Sequence, residues 1–208
     1  MTRYPDRVQV VPTTLNQFQS PRHMRTYLRP LPGTSAVRSS CEDSMIDAIS
    51  AHFSTLDARQ AILRRTAAIS AHFADVSKRA SLDSRIQFRR KEYVLGSGPR
   101  VSTRANFYCD MTAVCGCVGA KQSKTFFELC FNNREAIGTN FLKLDAARRN
   151  CELPDKQAQC VLICPSESLL RAGNWDPAYA DADEYFEFYN RVIDSQLTSR
   201  FSILEILY

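Results

Sequence analysis

The spacing of apolar positions divides the chain into a helical first third and a longer region that alternates between strand and helix. Ile46, Ile49, Phe53 and Leu56 recur at helical spacing, and so do Ile62, Ile69, Phe73 and Val76, which predicts helices over 42–56 and 61–77. Both contain the hexapeptide AISAHF, at 48–53 and again at 68–73. That offset turns a continuous helix by about 200°, so the two apolar stripes would face opposite ways. A break near Asp57, giving two helices, resolves the conflict, as does one helix covered on both sides. The pair is no solenoid repeat, because two copies do not stack into an array.

From residue 86 the period changes. IQFRRKEYVLG reads as a strand stopped by GSGP, RANFYCDMTAVCGCVGA as a strand or hairpin, and KTFFELCF as the next strand. REAIGTNFLKLDAARRN reads as a helix with Ile137, Phe141 and Leu144 inward and Lys143, Arg148 and Arg149 elsewhere. QCVLIC at 159–164 is a continuous apolar run, as in a strand covered on both faces. The stretch 165–180 reads as loop, DADEYFEFYNRVIDSQL as a helix with acids in its first turn, and RFSILEIL as a closing strand. Helices followed by β-β-β-α-β-α-β predict an α/β fold with a mixed central sheet flanked by helices. Residues 1–40, broken by Pro5, Pro12, Pro21, Pro30 and Pro32, read as an irregular basic N-terminal arm, and 41–208 as a single domain.

Charge sharpens this picture. The net charge is +5, and it is uneven: residues 1–40 hold six Arg and one Asp, residues 78–149 hold 14 basic and 6 acidic residues, and residues 150–208 hold 4 basic and 10 acidic. One positive face would suit a polyanion such as nucleic acid, although proteins that bind none show unevenness of this size too. No apolar run approaches the ~20 residues that span a bilayer, and the N-terminus lacks a signal-peptide core, so a cytoplasmic protein without membrane contact is expected. Eight cysteines there read as thiols and small core residues. Cys109, Cys115, Cys117 and Cys130 are the alternative, a zinc set, though no CxxC pair supports it. A cysteine nucleophile at Cys130 needs a nearby His, and only His23, His52 and His72 exist. The chain has no GxxxxGK[ST], GxGxxG or HExxH.

The chemistry concentrates on FELCFNN. A carboxylate in the middle of an apolar strand needs a partner. Alternation points Phe127, Leu129 and Phe131 one way and Phe126, Glu128 and Cys130 the other. Asp110 closes a neighbouring strand, 18 residues before Glu128, and Glu92 lies 18 further upstream. Two acids meeting at one sheet end repel unless a proton or cation lies between them, and beside a phosphate substrate the natural cation is Mg²⁺. The plain alternative is an edge-strand Glu facing solvent and an ordinary turn Asp.

Asp110 followed by Glu128-Leu129-Cys130 resembles the D…ExK core of the PD-(D/E)xK nuclease superfamily. FELCFNN, with the helix, apolar strand and final helix-strand pair after it, is similar to BamHI/BglII-type restriction endonucleases over roughly residues 86–208. The resemblance implies a restriction-endonuclease-like fold and a homodimer that cuts double-stranded DNA at a short sequence. It implies Asp110, Glu128 and the carbonyl of Leu129 as Mg²⁺ ligands, and Glu92 as an extra upstream acid. Asn132, Asn133 and Arg134 would then face the DNA, with Lys143, Arg148 and Arg149 as further contacts. Cys130 stands where the family places Lys, Glu or Gln, and a neutral thiol is a poor base. Lys121 or Lys124 then supplies the missing group, or the metal alone activates water, or the chain binds DNA or RNA without cutting it.

Overall fold

The structure, a computed structural model, describes residues 24–32, 40–77, 85–93, 108–116, 122–151, 158–193, 197 and 199–208. Six strands form one mixed sheet. They are β1 (Arg25–Pro30), β2 (Ile86–Tyr93), β3 (Tyr108–Gly116), β4 (Gln122–Leu129), β5 (Ala158–Pro165) and β6 (Phe201–Leu207), in the order β1-β6-β5-β4-β3-β2. β4, β5 and β6 run parallel, and β1, β3 and β2 pair antiparallel at the flanks. Every residue of β5 is buried, as its unbroken apolar run predicts for a strand covered on both faces. The expected α/β architecture with a mixed, helix-flanked sheet is what forms.

Helices α1 (Ser40–Phe53) and α2 (Ala58–Asp75) cover one face, with Phe127, Phe131, Val161, Ile163 and Leu204 beneath them. Helix α3 (Ile137–Arg149) and α5 (Ala182–Phe188), which continues as a π-helical turn Tyr189–Ile193, cover the other over Phe126, Leu162, Phe201 and Ile203. Phe53, Phe126, Phe127, Phe141 and Phe201 are fully enclosed. Burying a side chain of that size stabilises by about 1.5 to 3 kcal/mol, so the two cores fix the sheet firmly between its helices.

The break expected near Asp57 is present. Asp57 caps α2 by accepting from the Arg59 N–H at 2.8 Å. The two AISAHF copies then meet across the α1–α2 hairpin. His52 and His72 stack with ring centroids 4.1 Å apart, and each Nε2 bonds the other's backbone carbonyl, at 2.7 and 2.8 Å. Phe53 and Phe73 stack beside them at 6.0 Å. Each hexapeptide is thus the other's packing partner, and both histidines are held by main-chain oxygens.

Three expectations are corrected. Residues 25–30 are no irregular arm but edge strand β1, in register with β6 from Arg25↔Leu207 to Pro30↔Ser202. Proline is tolerated there because a strand at a sheet edge has one side unpaired. Residues 1–23 and 33–39 of the arm lie outside the described residues. The stretch 165–180 contains a short helix, α4 (Glu167–Ala172), capped by the Ser166 hydroxyl on the Leu169 N–H at 3.1 Å. The cysteines are not uniformly thiols: Cys109, Cys115, Cys130, Cys151, Cys160 and Cys164 are thiols, whereas Cys41 is disulfide-bonded. Among the described residues no helix is long and apolar enough to cross a membrane.

Candidate functional site

β3 and β4 pair from Gly116↔Gln122 to Met111↔Phe127, and their ladder ends there. The next pair in register would be Asp110 and Glu128. Asp110 therefore lies near the start of β3 rather than closing it, and antiparallel pairing sets it beside the end of β4. Where the main chains part, the two carboxylates take over their bonds. The Asp110 N–H donates to Glu128 Oε2 at 3.3 Å, and the Leu129 N–H donates to Asp110 Oδ2 at 3.0 Å. The acids thus meet at one end of the sheet as expected, each clasping the other's strand.

A third group completes the cluster. Lys143 reaches across from α3, and its Nζ donates to Glu128 Oε1. Burial, and next the neighbouring Asp110 carboxylate, push the Glu128 carboxyl up to about 8, against the opposing pull of Lys143. Near neutrality Glu128 therefore holds a proton, which is one of the two ways in which paired carboxylates relieve their repulsion.

Asp110 faces a small cleft of about 120 Å³ between α2 and β2, where Leu129 and the exposed Arg90 and Lys91 also contribute to the lining. Glu128 sits behind it, 4% exposed, under Lys143. The ladder between β2 and β3 is disturbed at this point. Arg90 pairs with Met111 and Glu92 with Cys109, while Lys91, opposite Asp110, has φ 52° and drops out. Left-handed backbone at a side-chain-bearing residue costs on the order of 1 to 3 kcal/mol and tends to cluster at sites of function.

The other sequence candidates fare differently. Glu92 has its backbone beside Cys109, but its side chain lies outside the described residues, as does Lys121. Lys124 is not brought to Glu128: it lies about 13 Å down the strand, with its Nζ 5.0 Å from the centroid of the Phe126 ring. Cys130 is wholly buried in the core under α3, where burial holds its thiol well above the ordinary range. Its Sγ donates to the Glu128 carbonyl at 3.5 Å. A protonated thiol sealed in the core is no base. Cys130→Ala is accordingly expected to leave any catalytic rate within about threefold while lowering stability by about 1 to 2 kcal/mol. A rate loss above a hundredfold in a variant that unfolds normally would return Cys130 to the chemistry.

The expected DNA-facing set is mostly engaged internally. Asn132 Oδ1 accepts from Asn140 Nδ2 at 3.3 Å and from the Tyr185 hydroxyl at 3.1 Å. Arg134 pairs with Glu184 and the Pro177 carbonyl. Arg149 is paired one turn back with buried Asp145. Arg148 is corrected outright: it is buried, because position 148 continues the inward stripe of Ile137, Phe141 and Leu144. Asn133 stays exposed. The zinc set is not assembled either. Cys109 and Cys130 lie in the core under α3, Cys115 lies in the core under α1 and α2, and Cys117 is outside the described residues. Among the described residues no three His, Cys, Asp or Glu side chains are grouped to hold a metal ion.

Lys143 is the residue the sequence misplaced. Its one signal was helical phase: it stands three residues after Asn140 and one before Leu144, at the border of the buried face. No family model matches the chain, and no curated protein matches it.

Proposed function

We propose that the protein is a Mg²⁺-dependent endonuclease that hydrolyses phosphodiester bonds of double-stranded DNA. The observation that carries this reading is the meeting of Asp110, Glu128 and Lys143 where β3 and β4 part. The donors fit such an ion. They are hard carboxylate oxygens on adjoining strands; burial first and the Asp110 charge second raise the proton affinity of Glu128, and a cation shared with Asp110 would relieve the repulsion between the two acids. Two acids, with the Leu129 carbonyl, are a sufficient protein share, because Mg²⁺ keeps several waters or phosphate oxygens. When bound, the ion polarises phosphoryl oxygens and lowers the pKa of a coordinated water.

The protein's own groups do the rest. Asp110 offers its carboxylate to the cleft, and Glu128 contributes once its proton is displaced. Lys143 supplies the ammonium that the nuclease pattern places two residues after the Glu, and that Cys130 cannot. Held against Glu128, its charge opposes protonation of that carboxyl and so favours the ionised form that shares the ion. Short-sequence specificity of the restriction type is the finer reading that the resemblance supports.

A second reading, a nucleic-acid-binding protein without chemistry, is favoured by the enclosure of Glu128. Plasmid DNA incubated with Mg²⁺ separates the two. The nuclease reading expects nicking that falls at least a thousandfold in Asp110→Asn and in Glu128→Gln, as when a charge-stabilising catalytic group is removed. DNA binding in all three proteins with no cutting in any would establish the second reading.

A further inference from the structure

We infer that DNA lies across the α2–β2 face, with a backbone phosphate seated in the cleft beside Asp110 and held by Arg90 and Lys91, rather than across α3. This rests on the nuclease reading for its substrate and goes beyond it in assigning the binding face.

Access is the first argument. Of the acids in the cluster it is Asp110 that lines a cleft, and that cleft opens between α2 and β2. Glu128 is closed from the other side by Lys143. A phosphate that reaches the carboxylates therefore enters past Arg90, Lys91, Thr66 and Ser70, two cations and two hydroxyls suited to an anionic tetrahedral group. Available charge is the second. The basic residues near α3 are engaged: Arg134 with Glu184, Arg149 with Asp145, Lys143 with Glu128, and Arg148 is buried. The described ion pairs include neither Arg90 nor Lys91. Both are exposed, and Lys91 extends its Nζ over the Tyr108 ring at 5.2 Å. Backbone shape is the third. The left-handed φ of Lys91 breaks strand alternation, so Arg90 and Lys91, consecutive in sequence, both line the same cleft.

The test is equilibrium binding of the full chain to a random-sequence DNA duplex in EDTA over a range of salt. Arg90→Gln with Lys91→Gly removes both cations, and glycine at 91 relaxes the left-handed backbone, so folding is preserved. The expected result is at least a tenfold rise in Kd and a salt slope shallower by about two, one per lost phosphate contact, with Arg149→Gln unchanged. Wild-type affinity and slope in the double variant, with Arg149→Gln weakened, would overturn the assignment and leave the nuclease reading intact. Loss of binding in the double variant, in a protein that never cuts DNA, would uphold the face and overturn the hydrolysis. No binding by the wild type would overturn both.

Discussion

Glu128→Gln is expected to stabilise the protein while silencing it. The folded carboxyl holds its proton up to about 8, against an ordinary value of 4.5. A folded-state pKa above the unfolded one means that native protein binds the proton more tightly. The penalty for this group is absent below about pH 4.5, grows as the unfolded chain ionises and the folded chain does not, and levels off above pH 8. At pH 7 it amounts to roughly 3 kcal/mol at 1.36 kcal/mol per unit. Glutamine keeps the shape and an acceptor for Lys143 but never ionises. The two carboxyl oxygens accept from the Asp110 N–H and from Lys143, and glutamine keeps only one such acceptor, which leaves a gain of about 1 to 2 kcal/mol. For a domain of this size the melting temperature should then rise by roughly 2 to 8 °C at pH 8 and change little at pH 5. A variant that melts lower than wild type at pH 8 would show that Glu128 is an ordinary structural ion-pair partner.

Lys143→Met separates holding the ion from using it. Methionine fills the space of the lysine stem at the edge of the α3 core and removes only the ammonium. Cleavage is expected to fall by a factor of about 10² to 10⁴, the usual contribution of a positioned proton-handling group. Mg²⁺ affinity should hold or rise, because a competing cation has left Glu128. Recovery of a measurable part of the rate in Lys143→Arg would tie the effect to charge rather than to packing. An unchanged rate in Lys143→Met would remove Lys143 from the chemistry and leave its contact with Glu128 a structural one.

Much of this site is visible in the sequence because short-range patterns dictate it. Period-2 alternation places Glu128 on the α3 side of β4, and the hairpin spacing brings Asp110 to it. The conflict between the two AISAHF stripes leaves a break near Asp57 as one of two resolutions, and the break is what forms. What remains hidden depends on contacts between elements. Lys143 meets Glu128 only because α3 packs over β3, β4 and β5, an arrangement that no local pattern encodes. The doublet Arg148-Arg149 reads as surface charge, yet helical phase buries one and turns the other toward Asp145. β1 escapes notice because prolines flank it and its partner is the far end of the chain. Arg90 and Lys91 read as the polar positions of an ordinary strand until the left-handed φ of Lys91 turns both toward Asp110.

The most direct measurement is calorimetric titration of the metal-free protein with Mg²⁺ at pH 7, in two buffers that differ in ionisation enthalpy. If Asp110 and Glu128 share the ion, binding must displace the Glu128 proton, and about one proton should be released for each ion bound. That release should vanish in Glu128→Gln, and binding itself should be lost in Asp110→Asn. No detectable binding by the wild type, or binding that neither substitution alters, would contradict the account.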